Sequence, residues 1–120
     1  MKYYDLIRRV KDSAGAEDEE SQDALELVVE NVAVHLTDPT RKEFAAALPS
    51  ELQHAAQMVP TASHLDEDIV SQLMDLEDVE EHEAKNYIRA AWQAIKDIFG
   101  DREVDEIKSE LPHNMVAVLE

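Results

Sequence analysis

Cysteine is missing from this chain of 120 residues. Its absence excludes structural disulfides, thiolate-held zinc and a thiol nucleophile together, and it suits a reducing cytoplasm. Glycine occurs twice and proline four times, too few for the many tight turns of a sandwich or barrel. Two glycines also cannot build a phosphate-cradling loop or a dinucleotide fingerprint. No apolar run approaches the roughly 20 residues of a membrane helix, and the opening Met1-Lys2-Tyr3-Tyr4-Asp5 lacks the apolar stretch of a signal peptide. Basic residues are also scarce: 11 Lys and Arg stand against 28 Asp and Glu, for a formal charge of −17.

That imbalance repels phosphate backbones and anionic membrane surfaces, so neither nucleic acid nor membrane is an expected partner. Three readings of the charge stand side by side. It keeps an ordinary cytoplasmic protein in solution, it suits high salt, where screening removes self-repulsion, or it meets a basic partner. The apolar fraction of 44% is enough to drive burial, which argues against disorder, and the length fits one domain with one core.

What the chain does have is helical periodicity, twice over. At an offset of 63 residues and without a gap, apolar character is kept along the whole unit. Leu6, Ile7 and Val10 fall on Ile69, Val70 and Leu73; Leu25, Val29, Val32 and Leu36 fall on Ile88, Trp92, Ile95 and Phe99; Leu48-Pro49 falls on Leu111-Pro112. Such self-similarity points to a tandem repeat. The expectation is an all-α, compact helical bundle of two repeats, about 1–60 and 61–120, forming one domain. Each repeat has three to four helices and one long central helix.

The period places a first helix at about Tyr3 to Asp12, broken by Gly15, and a long one at about Glu17 to Leu36. The acidic run Glu17–Glu20 lies at the positive end of its dipole. Thr40 with Glu43 and Ser50 with Gln53 read as capping boxes for the next two helices, separated by Pro49, the second reaching about Met58. In the second unit, Ser63 or Asp66 is read as the cap of a helix to Leu76. Asp78 is read as the cap of a long helix to Phe99, and Asp101 as the cap of the helix after Gly100. The segment from about Val59 to His64 reads as a short linker, which favours two units packed into one core.

Each unit thus has an early apolar pair, a long Ala/Val/Leu helix, an acidic turn and a helix closing on Leu-Pro. In the first these are Leu6…Val10, Ala24…Leu36, Asp38 and Phe44…Leu48-Pro49. In the second they are Ile69…Leu73, Tyr87…Phe99, Asp101 and Ile107…Leu111-Pro112. The arrangement resembles the bacterial and archaeal family known as domain of unknown function 2267. The resemblance implies a helical fold and a prokaryotic origin, and no activity or site residue comes with it. The second unit departs from the first just before its Leu-Pro, with Lys108-Ser109-Glu110 where the first has Ala45-Ala46-Ala47.

Chemistry is sparse. The five histidines, His35, His54, His64, His82 and His113, form no i, i+3 or i, i+4 pair on a helix, so none is preset as a metal site. Serines and threonines sit where caps belong. Asp75, Glu77, Asp78, Glu80, Glu81 and Glu83 form the densest acidic cluster, a candidate cation site or basic-partner patch that a solvated helix N-terminus explains equally. It has no EF-hand spacing. No catalytic, cofactor-binding or metal residue is assigned, and no cofactor is expected. Trp92, Tyr87 and Tyr4 are candidate interaction anchors, since such aromatics dominate hot spots, while core packing is the ordinary role of the first two.

The expected function is a non-enzymatic, cytoplasmic interaction or scaffold module with an acidic, salt-adapted surface. Its partner would be a protein presenting a basic or helical segment. The alternatives are a small-ligand binder or enzyme using carboxylates and His between the repeats, and a nucleic-acid mimic for a basic partner. The oligomeric state is not legible.

Overall fold

The computed structural model describes residues 2–57 and 68–120. These residues form eight α-helices, and no strand occurs among them. The first, α1 (Tyr3–Ala14), buries Leu6 and Val10 completely. It ends at Gly15, whose φ of 68° lies in the left-handed region that glycine enters without a Cβ penalty. The Gly15 N–H donates to the Lys11 carbonyl at 2.9 Å.

The two long helices, α2 (Asp18–Ala33) and α6 (Glu81–Lys96), start in the same way. The Glu17 N–H donates to Glu20 at 2.9 Å, and the Glu80 N–H to Glu83 at 3.4 Å. Glu80 therefore caps α6. Asp78 instead ends α5 (Ile69–Glu77) in the left-handed conformation, with φ 53° and ψ 46°. Both long helices also stop three residues short of Leu36 and Phe99. There the backbone tightens to i→i−3 hydrogen bonds, such as Leu36 N–H to the Ala33 carbonyl and Phe99 N–H to the Lys96 carbonyl. Arg41 adds a second closure, donating to the carbonyls of Ala33 and Leu36 at 2.9 Å each.

The short helices depart from the expected caps. α3 (Asp38–Ala47) begins after Thr37 with Pro39 in its first turn. Thr40 does not pair with Glu43; its hydroxyl donates at 2.7 Å to Glu110, which also accepts the Thr37 N–H at 2.7 Å. A carboxylate at the start of a helix meets free N–H groups and the positive dipole end, so a residue 70 positions away displaces the local box. Leu48, extended ahead of Pro49, ends α3. In α4 (Ser50–Gln57), Gln53 reaches back to the Leu48 carbonyl at 3.1 Å, and Ser50 donates to Glu51. Asp68 caps α5 by accepting the Ser71 N–H and hydroxyl. Gly100, not Asp101, is the N-cap of α7 (Asp101–Ser109), and α8 (His113–Leu119) follows Pro112. The expected cap at Ser63 or Asp66, the linker at 59–64 and the end at Met58 lie outside the described residues.

Four helices make the centre. α1 packs on both α2 and α6, α5 does the same, and α2 and α6 pack on each other. α4 covers α2, and α8 covers α6. The interior is aliphatic, with Leu25, Val28, Val32, Leu73, Ile88 and Ile95 fully buried. Phe44 of α3 stacks on Phe99 with ring centroids 5.5 Å apart. Two buried amides cross this interior: Asn31 of α2 and Gln72 of α5 exchange hydrogen bonds of 3.1 and 3.0 Å. The molecule measures 35 × 30 × 24 Å.

Candidate functional site

One face of α2 is buried and the other carries acid. Glu19, Asp23, Glu26 and Glu30 recur at i, i+4, i+7 and i+11, a spacing that sets them in one stripe along a helix. All four stay exposed or half-buried, while Leu25, Val28, Val29 and Val32 point inward.

Neighbouring helices lengthen the stripe. At the end of α5, Glu77 brings one carboxyl oxygen within 4.8 Å of one from Glu19 and one from Asp23. A hydrogen bond to Asp23, with burial and the negative charges of Asp23, Glu19 and Glu20, pushes the Glu77 pKa up to about 7. The hydrogen bond favours a proton on Glu77, because like charges this close cannot both ionise cheaply. Further along, burial together with Asp23 and Glu30 raises the Glu26 pKa. Tyr3 of α1 stands beside the stripe; burial, then Glu26, Glu51 and Asp23, push its phenol up to about 12. Burial contributes to all three shifts, and the neighbouring carboxylates add to it. The ridge can hold a proton, a hard cation through carboxylate oxygens, or the ammonium and guanidinium groups of a basic segment.

The acidic cluster read between Asp75 and Glu83 is divided by the fold. Glu77 joins the ridge. Glu80 and Glu83 serve the start of α6, with His82 Nδ1 3.5 Å from a Glu80 carboxyl oxygen at the surface. A second group of potential ligands, Glu80, His82 and Glu83, lies there, fully accounted for by capping and solvent.

The other candidate residues scatter. Trp92 is 1% exposed and Tyr87 6%, so both act within the core and lie out of a partner's reach in this fold. The Trp92 indole N–H has no hydrogen-bond partner among the described residues. Tyr4 is 64% exposed; Arg8 donates to its hydroxyl at 3.0 Å and lies over its ring. His35, His54, His82 and His113 are all exposed on different elements, and burial lowers the His35 pKa. His64 lies outside the described residues.

The approach of Glu77 to Asp23, across 54 residues of chain, escapes any local motif. The stripe on α2 is different: its spacing is readable once the helix is placed. Residues 3–118 match the family described as an uncharacterized conserved protein, DUF2267. No curated protein and no solved structure matches the chain.

Proposed function

We propose that this chain, which belongs to the DUF2267 family, is a non-enzymatic interaction module whose acidic ridge on α2 receives a basic segment of a partner protein. The observation that carries the reading is the ordered row of Glu19, Asp23, Glu26 and Glu30, extended by Glu77 and Glu51. Salt adaptation alone calls for acid spread evenly over the surface. An aligned row of carboxylates favours a ligand that supplies positive charge, because such a ligand relieves the repulsion within the row. The same row favours, as a second reading, a partner whose basic surface otherwise binds nucleic acid.

The remaining acid, among it the exposed Asp101, Glu103, Asp105 and Glu106 of α7, fits life in a salt-rich prokaryotic cytoplasm. The helix boundaries support duplication: α2 and α6 begin at Asp18 and Glu81, and α3 and α7 at Asp38 and Asp101, 63 residues apart each time.

The test is fluorescence anisotropy of a labelled Lys/Arg-rich helical peptide against the full chain. Binding should weaken steeply with KCl and fall at least tenfold in a variant carrying Glu19→Gln, Asp23→Asn, Glu26→Gln and Glu30→Gln. Equal binding by a control variant neutralised on α7 (Asp101→Asn, Asp105→Asn, Glu106→Gln) would confirm that place matters, not total charge. If both variants lose affinity alike, the ridge has no special role. Melting temperature across KCl separates the salt question, since simple screening is nearly complete by about 1 M.

A further inference from the structure

A groove of about 590 Å³ lies between α3 and α4, a volume in the range of small-molecule sites. Its local charge opposes that of the molecule. Arg41 and Lys42 stand on its α3 wall above Ala45 and Ala46, and the amides of Gln53 and Gln57 form its α4 wall. Arg41 is fixed in place by the Ala33 and Leu36 carbonyls and by Asp38 at 3.2 Å. These bonds use three of its five N–H donors, leaving a preorganised cation with capacity to spare. Lys42 is exposed and holds no partner among the described residues. With Asp38 counted, the rim carries a net positive charge on a chain of −17.

The corresponding helices of the second half show what such a place accepts. There Glu120, following α8, takes Lys96 Nζ and Lys108 Nζ at 2.8 Å each. Although burial opposes ionisation, the two lysines hold the Glu120 carboxyl below its ordinary range. The positions 63 residues earlier are Ala33, Ala45 and Gln57. In the first half, therefore, the bridging carboxylate and its two lysines are replaced by small or neutral side chains. The cations stand instead at Arg41 and Lys42, where the second half has Val104 and Asp105.

We propose that the α3–α4 groove binds a small organic acid, whose carboxylate is received by Arg41 and Lys42 as the Glu120 carboxylate is received by the lysines of the second half. The Gln53 and Gln57 amides orient the polar remainder of the ligand, and Ala45 and Ala46 give its methylene carbons an apolar floor. This site is independent of the acidic ridge and takes a ligand of opposite sign.

The test uses the full chain, labelled with 15N, titrated with succinate by NMR at constant ionic strength. Saturable shifts should be confined to residues of α3 and α4. Arg41 also closes α2, so the diagnostic variants lie elsewhere. Lys42→Gln should weaken succinate binding about tenfold. The variant Gln57→Glu, which sets a carboxylate of the chain's own on the α4 wall of the groove, should weaken binding by at least as much while leaving the melting temperature unchanged or higher. Three results would overturn the proposal: no localised shift at tens of millimolar succinate, the same shifts with sulfate or chloride, or unaltered affinity in both variants.

Discussion

Asn31 and Gln72 face each other inside the bundle and trade amide hydrogen bonds in both directions, at 3.1 and 3.0 Å. Asn31 also donates to the Leu27 carbonyl at 2.7 Å. The pair joins α2 to α5, and so the first half to the second, with only 4% and 3% of each residue exposed. A buried amide is costly without a partner, so the pairing selects one register of the two helices.

Replacing one amide should therefore cost more than replacing both. Asn31→Leu strips Gln72 of two hydrogen bonds and should destabilise by about 1–3 kcal/mol. Adding Gln72→Leu should recover much of that loss. Urea denaturation of the wild type, both single variants and the double variant closes the cycle. Additive costs would mean the two amides are not coupled.

Glu77 makes stability depend on pH in an unusual direction for a carboxyl. Its pKa of about 7 in the folded protein exceeds the roughly 4.3 of an unfolded chain. Between these values the folded state binds more protons than the unfolded state. Its contribution is present below about pH 4 and fades as pH rises toward 7. Glu77→Gln should accordingly raise the melting temperature at pH 8 and change little at pH 4.5. The gain should be on the order of 1 kcal/mol after solvent screening. A gain equal at both pH values would rule out a raised Glu77 pKa as its source.

Glu110 works in the opposite sense. The Thr37 N–H and the Thr40 hydroxyl hold its pKa below the ordinary value. Its stabilisation is complete above the unfolded pKa and disappears as pH falls through the folded one. Glu110→Ala removes a helix cap and should cost about 1 kcal/mol at pH 7, with the deficit shrinking below about pH 4. Chemical denaturation at pH 7 and pH 3.5 reads both numbers. A constant deficit would assign the effect to packing.

Asp78 occupies a backbone region that L-residues enter at some cost, with φ of 53°. Glycine enters it freely. Asp78→Gly should stabilise the protein by up to about 1 kcal/mol, visible as a higher urea midpoint at unchanged slope.

Much of the helical layout was legible because it depends on neighbours in sequence. The 3.6-residue recurrence of Leu25, Val28, Val32 and Leu36 announces α2, and Pro49 and Pro112 mark the breaks. The caps are less legible, since Thr40 and Asp78 have local sequences that suit capping, yet Glu110 takes the Thr37 N–H and Glu83 takes the N–H of Glu80, the N-cap of α6. The four α2 members of the acidic ridge can be read from the spacing of Glu19 to Glu30. The other two depend on where α4 and α5 pack, which brings Glu51 near Tyr3 and Glu77 to Asp23 and which no local pattern encodes. The departure Lys108-Ser109-Glu110 stood out as an irregularity in the repeat. Tertiary structure gives it meaning, with Lys108 bound to Glu120 and Glu110 to Thr37 and Thr40.

The way α1 is shared between α2 and α6 sets a timetable for synthesis. Chains emerge from the ribosome N-terminus first, and α1 packs most heavily on a helix that begins at Glu81 and ends at Lys96. Leu6 and Val10 are made well before α6, and they find their complete surroundings only once it is in place. Until α6 has left the ribosome, α1 lacks the cover of its main neighbour, and dense negative charge opposes association of such chains.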